Sequence, residues 1–120
     1  MKVLIIHRQL NLLLRLKEKF ISGGWLVHTS DNGLDGLLAA RHYAFDLVLC
    51  GFDLPVVSGT EIVRALRMLS PNTKTPVFFF KKENEFNSHL ELARQLKAKM
   101  INEEEFEFSL QVNWLTNSLN

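Results

Sequence analysis

The sequence lacks several features that would point directly to a function. Cys50 is its one cysteine, so an intramolecular disulfide and a cysteine-rich zinc site are both excluded. No stretch approaches the roughly 20 apolar residues needed to span a bilayer, and the first apolar run, Val3–Ile6, is too short for a secretory signal. These absences predict a soluble, cytoplasmic protein that has no membrane partner.

A strong charge of one sign is missing too. Lysine and arginine number 14 against 13 aspartates and glutamates, which gives a formal net charge of +1 over 120 residues. Electrostatic binding to nucleic acid usually requires a strong basic bias, so we expect nucleic-acid binding only if a separate output domain exists. A hydrophobic fraction of 47% and the absence of repeats or linkers predict one globular domain over residues 1–120.

The chain does contain a regular alternation of short apolar runs and longer segments with helical spacing. Continuous runs rich in β-branched or aromatic residues predict strands that are buried on both faces. These runs are Val3–Ile6, Trp25–Thr29, Leu47–Cys50 and Val77–Phe80, followed by a weaker strand at Lys99–Ile101. Strand followed by helix, repeated along the chain, predicts a doubly wound (βα)5 sandwich with a five-stranded parallel sheet.

Turn and capping residues set the expected limits of the helices. Gly23 and Gly24 end the first helix. The second runs from Asn32-Gly33 to His42, the third from Ser58-Gly59 to the break at Ser70-Pro71-Asn72, and the fourth from about Glu85 to Lys97. A fifth helix is expected toward the C-terminus.

The candidate site follows from this architecture. In an open parallel sheet, ligands bind beyond the carboxyl ends of the strands, where the strand order reverses. The residues directly after the predicted strands are therefore the ones to consider. They are His7 and Arg8, Gly51 and Phe52, Lys81 and Lys82, and the glutamates from Glu103 onward.

The most specific pattern in the chain surrounds the third strand, in the segment Asp46–Gly59. Pro55 stands four residues after Gly51, and Gly59 stands four residues after Pro55. Together with the turns at Gly24-Trp25 and Asn32-Gly33, this pattern resembles the receiver domain of bacterial two-component response regulators over nearly the whole chain. The resemblance implies a CheY-like, flavodoxin-like fold.

The resemblance also implies a chemical apparatus that this sequence does not carry. Receivers accept a phosphoryl group on an aspartate, with carboxylates holding a magnesium ion that offsets the charge. In this chain the acidic pair is replaced by His7 and Arg8, the acceptor by Gly51, the hydroxyl residue by Lys81, and the lysine by Glu103 or Glu104, depending on the alignment. The chain therefore resembles a degenerate receiver, for which we expect no enzymatic activity, no magnesium and no other cofactor.

Two interpretations remain for the charges around this position. Arg8 or Lys81 forms an internal ion pair with Glu103 or Glu104 that replaces metal and phosphate, or these groups are separately solvated surface charges. In a weaker variant the basic pocket binds a small anion. Because His7 is a lone imidazole, we do not expect it to bind a metal.

Asp53 is the nearest remaining carboxylate, and it allows a rival function. It is either a substitute phosphoacceptor or, as we prefer, a solvated loop aspartate. A second rival is a small flavodoxin-like protein that binds an anion or nucleotide through His7, Arg8 and Lys81, although no glycine-rich phosphate loop follows the first strand.

The predicted last helix carries two apolar faces. Phe108, Val112, Leu115 and Leu119 form one stripe, which we expect to pack on the sheet. Phe106, Leu110 and Trp114 form the other, which either lies under the fourth helix or binds a protein partner or a second copy. The preferred function is therefore an atypical receiver that acts through protein–protein contact, independently of phosphorylation.

Overall fold

Strands and helices alternate along the chain in the computed structural model, which describes residues 1–68, 70–81 and 88–102, and the backbone alone at 81, 88 and 89. The elements are β1 (Lys2–Ile6), α1 (Leu10–Ser22), β2 (Leu26–Ser30), α2 (Gly33–His42), β3 (Leu47–Gly51), α3 (Gly59–Met68), β4 (Val77–Lys81), α4 (Ser88–Gln95) and β5 (Lys99–Asn102). The strands form one five-stranded sheet in the order β2-β1-β3-β4-β5, and every pair is parallel. The predicted fold class is confirmed.

The core lies on both faces of this sheet because successive strand residues point to opposite sides. On one face, Val3 and Ile5 pack with Leu16, Phe20 and other residues of α1. On the opposite face, a second cluster joins β1, β3 and β4 to α2, α3 and α4; its members include Leu4, Ile6, Cys50, Ala39, Ile62, Leu66, Phe79 and Ala93. Cys50 is fully buried, as a small apolar residue would be.

The prediction that the second strand is buried on both faces is wrong. Leu26 is 70% exposed, and residues 27–29 of β2 are half-buried. The reason is the strand order, since β2 is an edge strand that pairs with β1 alone. Trp25, which was expected to open this strand, precedes it and packs its ring edge-on against Phe20, with the centroids 5.2 Å apart.

Local residues explain the end of α1 and the start of α2. Gly24 has a φ of +85° just after α1, a conformation that glycine adopts without steric cost. The Asn32 side chain accepts a hydrogen bond from the Asp35 N–H at 2.9 Å and so caps α2. Within the described ranges, no helix has the length and apolar character needed to cross a bilayer.

The fourth helix ends earlier than the predicted Lys97. Lys97 has a φ of +56°, and the N–H of Ala98 donates to the carbonyl of Ala93 at 2.8 Å. A left-handed residue followed by such a bond terminates a helix. Residues 85–87 and the predicted fifth helix lie outside the described residues.

Candidate functional site

The candidate site lies at the carboxyl ends of β1, β3 and β4. The chain leaves β1 for β2 on one side and returns to β3 on the other, so the strand order reverses between β1 and β3. Ile6 is paired with Cys50, and Gly51 with Phe80. The backbones of His7, Gly51 and Phe80 are therefore level with one another at the crevice where such folds bind ligands.

His7 is buried, with little of its surface exposed to solvent. It is 6% exposed, and its backbone N–H donates to the Ser30 carbonyl at 3.1 Å. Its Nδ1 accepts the Gln9 N–H at 3.0 Å, so a neutral ring carries its proton on Nε2. The ring meets Phe80 edge-on, with the centroids 5.6 Å apart. A buried aromatic base thus lies where the resemblance implies an acid.

Gly51 ends β3 and offers no side chain to this crevice. A Cβ at this position would lie 3.5 Å from His7 Cδ2 and 3.7 Å from both the Ile6 carbonyl oxygen and Leu54 Cδ2. These are ordinary van der Waals distances. The backbone and its surroundings therefore do not require glycine here, and its effect on the site is chemical, because the position carries no carboxylate.

Arg8 binds the carboxylate of Asp53 across the crevice. The distance from Nη1 to Oδ2 is 2.9 Å, and the two side chains are 51% and 83% exposed. Arg8 is the second residue after β1 and Asp53 the second after β3, so the parallel pairing of these strands brings the two together.

This partner of Arg8 was not among those predicted from the sequence. The two predicted alternatives were an ion pair of Arg8 or Lys81 with Glu103 or Glu104, or separately solvated charges, and the preferred interpretation of Asp53 was a solvated loop aspartate. Asp53 is indeed exposed, but it is hydrogen-bonded to Arg8 over a separation of 45 residues. The sequence positions of the two residues could have indicated the pair, since each is the second residue after one of two adjacent parallel strands.

Several predicted site residues cannot be compared with the structure. The backbone of Lys81 is paired with Asn102, the last residue of β5, so it lies at the same edge of the sheet. Its side chain lies outside the described part of the chain. The same holds for Glu103 and Glu104, and for the predicted interaction face, formed by Phe106, Leu110 and Trp114.

The described residues of the site do not fit the magnesium ion that the resemblance implies. Magnesium prefers carboxylate and phosphate oxygens in an octahedral arrangement. Here the carboxylate of Asp53 already binds a guanidinium, and the Nδ1 of His7 already accepts a hydrogen bond. Across the described ranges, no group of three or more histidines, cysteines, aspartates or glutamates could hold a metal ion.

The loop after β3 is fixed by close packing. The Phe52 ring stacks on Phe79 with centroids 4.3 Å apart, and the Phe52 carbonyl accepts the Gly59 N–H at 3.0 Å. A Cβ on Gly59 would lie 2.0 Å from the Gly51 carbonyl oxygen. Glycine is therefore required at 59, where α3 begins directly against the end of β3.

Cys50 does not add reactive chemistry to this crevice. Its Sγ lies 3.3 Å from the Gly51 carbonyl oxygen, to which it donates, and complete burial raises the pKa of the thiol well above its usual range. A thiol that stays protonated is a poor nucleophile and a poor metal ligand.

Comparison with known proteins identifies the fold. No protein-family model matches the chain. The receiver domain of the Francisella response regulator 1452 superposes with a TM-score of 0.78 at 19% identity, covering 99% of this chain and 98% of that one. The Vibrio cholerae chemotaxis protein CheY4 gives 0.76 at 23% identity, covering 92% and 95%. The chain has the CheY-like receiver fold.

Sequence similarity points the same way. The probable transcriptional regulator ycf29 of Pyropia yezoensis is 31% identical over 78 residues, which cover 65% of this chain and 35% of that protein. The chain spans about a third of the length of the curated relatives it matches. The chain is thus similar in fold to CheY-like receiver domains and, over part of its length, similar in sequence to a transcriptional regulator.

Proposed function

We propose that this chain is a response-regulator receiver domain of the degenerate kind, a pseudo-receiver, which signals through protein–protein contact and does not depend on phosphorylation of an aspartate. The observation that carries the proposal is Gly51, which ends β3 with no side chain although its surroundings leave ordinary space for a Cβ. Phosphoryl transfer to a receiver requires a carboxylate there. We assign the domain no enzymatic activity and no magnesium requirement.

The charges around Gly51 support the same function. Phosphotransfer to a carboxylate brings two negative groups together, and receivers offset this charge with a metal held by acidic residues. In this chain the corresponding positions hold the buried His7 and the cationic Arg8. A guanidinium beside a metal site would repel the cation.

The Arg8–Asp53 ion pair also weakens both alternatives. A phosphoacceptor role for Asp53 requires its carboxylate to attack a phosphodonor, whereas the structure has it hydrogen-bonded to Arg8. Binding of an anion or nucleotide through His7, Arg8 and Lys81 would use Arg8, which already faces a carboxylate. Each rival therefore competes with the ion pair for one of its two groups.

Incubation with a small-molecule phosphodonor and magnesium, followed by intact-mass measurement, tests the proposal. We expect no mass gain in the wild-type chain. A stable phosphoryl adduct in the wild type that is absent in Asp53→Asn would overturn the proposal in favour of the Asp53 acceptor. Asp53→Asn is the suitable control because it keeps the shape and removes the nucleophilic carboxylate.

We further propose that the partner surface is the apolar face of Phe106, Leu110 and Trp114. The support is the sequence pattern, since aromatic residues are frequent interface anchors and these three recur at the spacing of one helix face. Trp114→Glu is expected to weaken self-association or partner capture at least tenfold. Gln111→Glu adds the same charge on the same segment and is expected to change neither.

Sedimentation and affinity capture from the native cell measure these two outcomes. If Trp114→Glu sediments and captures partners like the wild type, the assigned surface is wrong. That result would leave the pseudo-receiver assignment intact, because phosphodonor labelling reports on the site and not on the surface.

A further inference from the structure

Arg67 links the loop before β4 to the end of α4. Among the described residues, no other hydrogen bond joins these two segments. Arg67 lies in the last turn of α3, and its guanidinium donates only to main-chain carbonyls among the described residues. Nη1 donates to Thr75 at 2.6 Å and to Thr73 at 3.3 Å, in the loop before β4, with a longer contact of 3.5 Å to Asn72. Nε donates to Leu96 at 3.0 Å and Nη2 to Lys97 at 3.2 Å, at the end of α4.

The acceptors at the end of α4 are groups that need a partner. The last carbonyls of a helix have no hydrogen bond within the helix and carry partial negative charge, which favours a cation. Leu96 and Lys97 follow the last residue of α4 directly. Burial lowers the pKa of the Arg67 guanidinium, but an arginine remains charged at any physiological pH.

Among the described side chains of α4, residues 90–95, little apolar surface is buried. Ala93 is the one described residue of α4 that is buried, and alanine contributes little apolar area. Leu92 is half-buried and Leu90 is 41% exposed. A short helix with such a small buried face depends on polar contacts at its end to stay docked.

We propose that Arg67 is a clamp that fixes the C-terminal end of α4 and the entry to β5 against the loop before β4. The clamp is made by α3 and main-chain carbonyls, and none of its hydrogen bonds involves His7 or Gly51 at the crevice. Without the clamp, α4 detaches as a local unit while the central strands stay folded.

Amide hydrogen exchange of the full chain, read by peptide, tests the clamp. In Arg67→Met we expect exchange over residues 90–98 to accelerate at least tenfold, while exchange in β1 and β3 changes less than threefold. Arg64→Met is the matched control, since Arg64 is exposed on the same helix, and it should leave α4 unchanged.

Arg67→Lys keeps the charge but replaces the planar, five-donor fork by a single ammonium. We expect it to give intermediate protection of α4, and it serves as the test if Arg67→Met does not fold. Unchanged exchange in α4, or an equal loss of protection in α4, β1 and β3, would overturn the clamp in either variant.

Discussion

Val56 adopts a backbone conformation that its side chain disfavours. Its φ is +71°, and the Val57 N–H donates to the Pro55 carbonyl at 2.8 Å, so residue 56 is the centre of a γ-turn of the strained, positive-φ form. A β-branched residue is a genuine outlier there. The side chain is 87% exposed, so its burial does not offset the strain.

Val56→Asn is expected to raise the free energy of unfolding by about 1 kcal/mol, because asparagine tolerates positive φ. Val56→Ile keeps the β-branch and should leave stability unchanged. Urea unfolding of the three proteins measures the difference. An asparagine variant no more stable than the isoleucine variant would show that the turn imposes no strain on Val56.

At the scale of elements, the junction between β3 and α3 contains two glycines with different constraints. A Cβ on Gly51 would meet its nearest neighbours at 3.5 Å or more, whereas a Cβ on Gly59 would lie 2.0 Å from the Gly51 carbonyl oxygen. Sterics therefore require glycine at position 59 but not at position 51, where glycine matters because it carries no functional group. Substituting alanine at each position separates the two.

Gly59→Ala is expected to destabilise the domain by about 2 kcal/mol, because α3 must move away from β3. Gly51→Ala should be neutral or stabilising by up to about 1 kcal/mol, since it restricts the unfolded chain without a clash. Thermal unfolding compares the two. Equal losses of stability would mean that the space beside Gly51 is not usable.

Continuous apolar runs allowed the strands to be predicted to within one residue at either end, because central parallel strands are buried on both faces. The exposure of β2 could not be predicted from its own residues, since edge position depends on the strand order. The early end of α4 had no sequence signal, because Lys97 occupies a position where glycine or asparagine is usual.

The site was predictable in location but not in its contacts. The topology placed His7, Arg8 and Gly51 at one edge of the sheet, as parallel strands require. The Arg8–Asp53 pair joins residues 45 apart in sequence, and charge alone allowed several partners for Arg8. The pairing of β1 with β3 brings Arg8 and Asp53 to the same edge of the sheet.

At the scale of the whole molecule, a net charge of +1 does not reveal which groups lie at the candidate site. In the proposed pseudo-receiver, an imidazole, a guanidinium and a hydrogen stand where a receiver would place carboxylates around its metal. If these substitutions alone prevent metal binding, restoring the carboxylates on the same fold should restore it. The ordinary contacts of a Cβ at Gly51 make that variant feasible.

The variant His7→Asp/Arg8→Asp/Gly51→Asp is expected to gain thermal stability on addition of magnesium, because a ligand of the native state raises its stability. The wild type should show no shift, and neither should the matched triple asparagine variant. Differential scanning fluorimetry over a magnesium titration measures all three. A shift in the wild type would contradict the proposal that the domain needs no magnesium.

The Arg8–Asp53 bridge is also expected to weaken as the ionic strength rises. The bridge is exposed, so salt screens it as the Debye length falls from about 8 Å under physiological conditions to about 3 Å at 1 M. Ordinary ion-binding sites lose affinity as salt rises. A ligand that must first separate Arg8 from Asp53 would spend less free energy on breaking the pair at high salt. This effect would partly offset the usual loss of affinity.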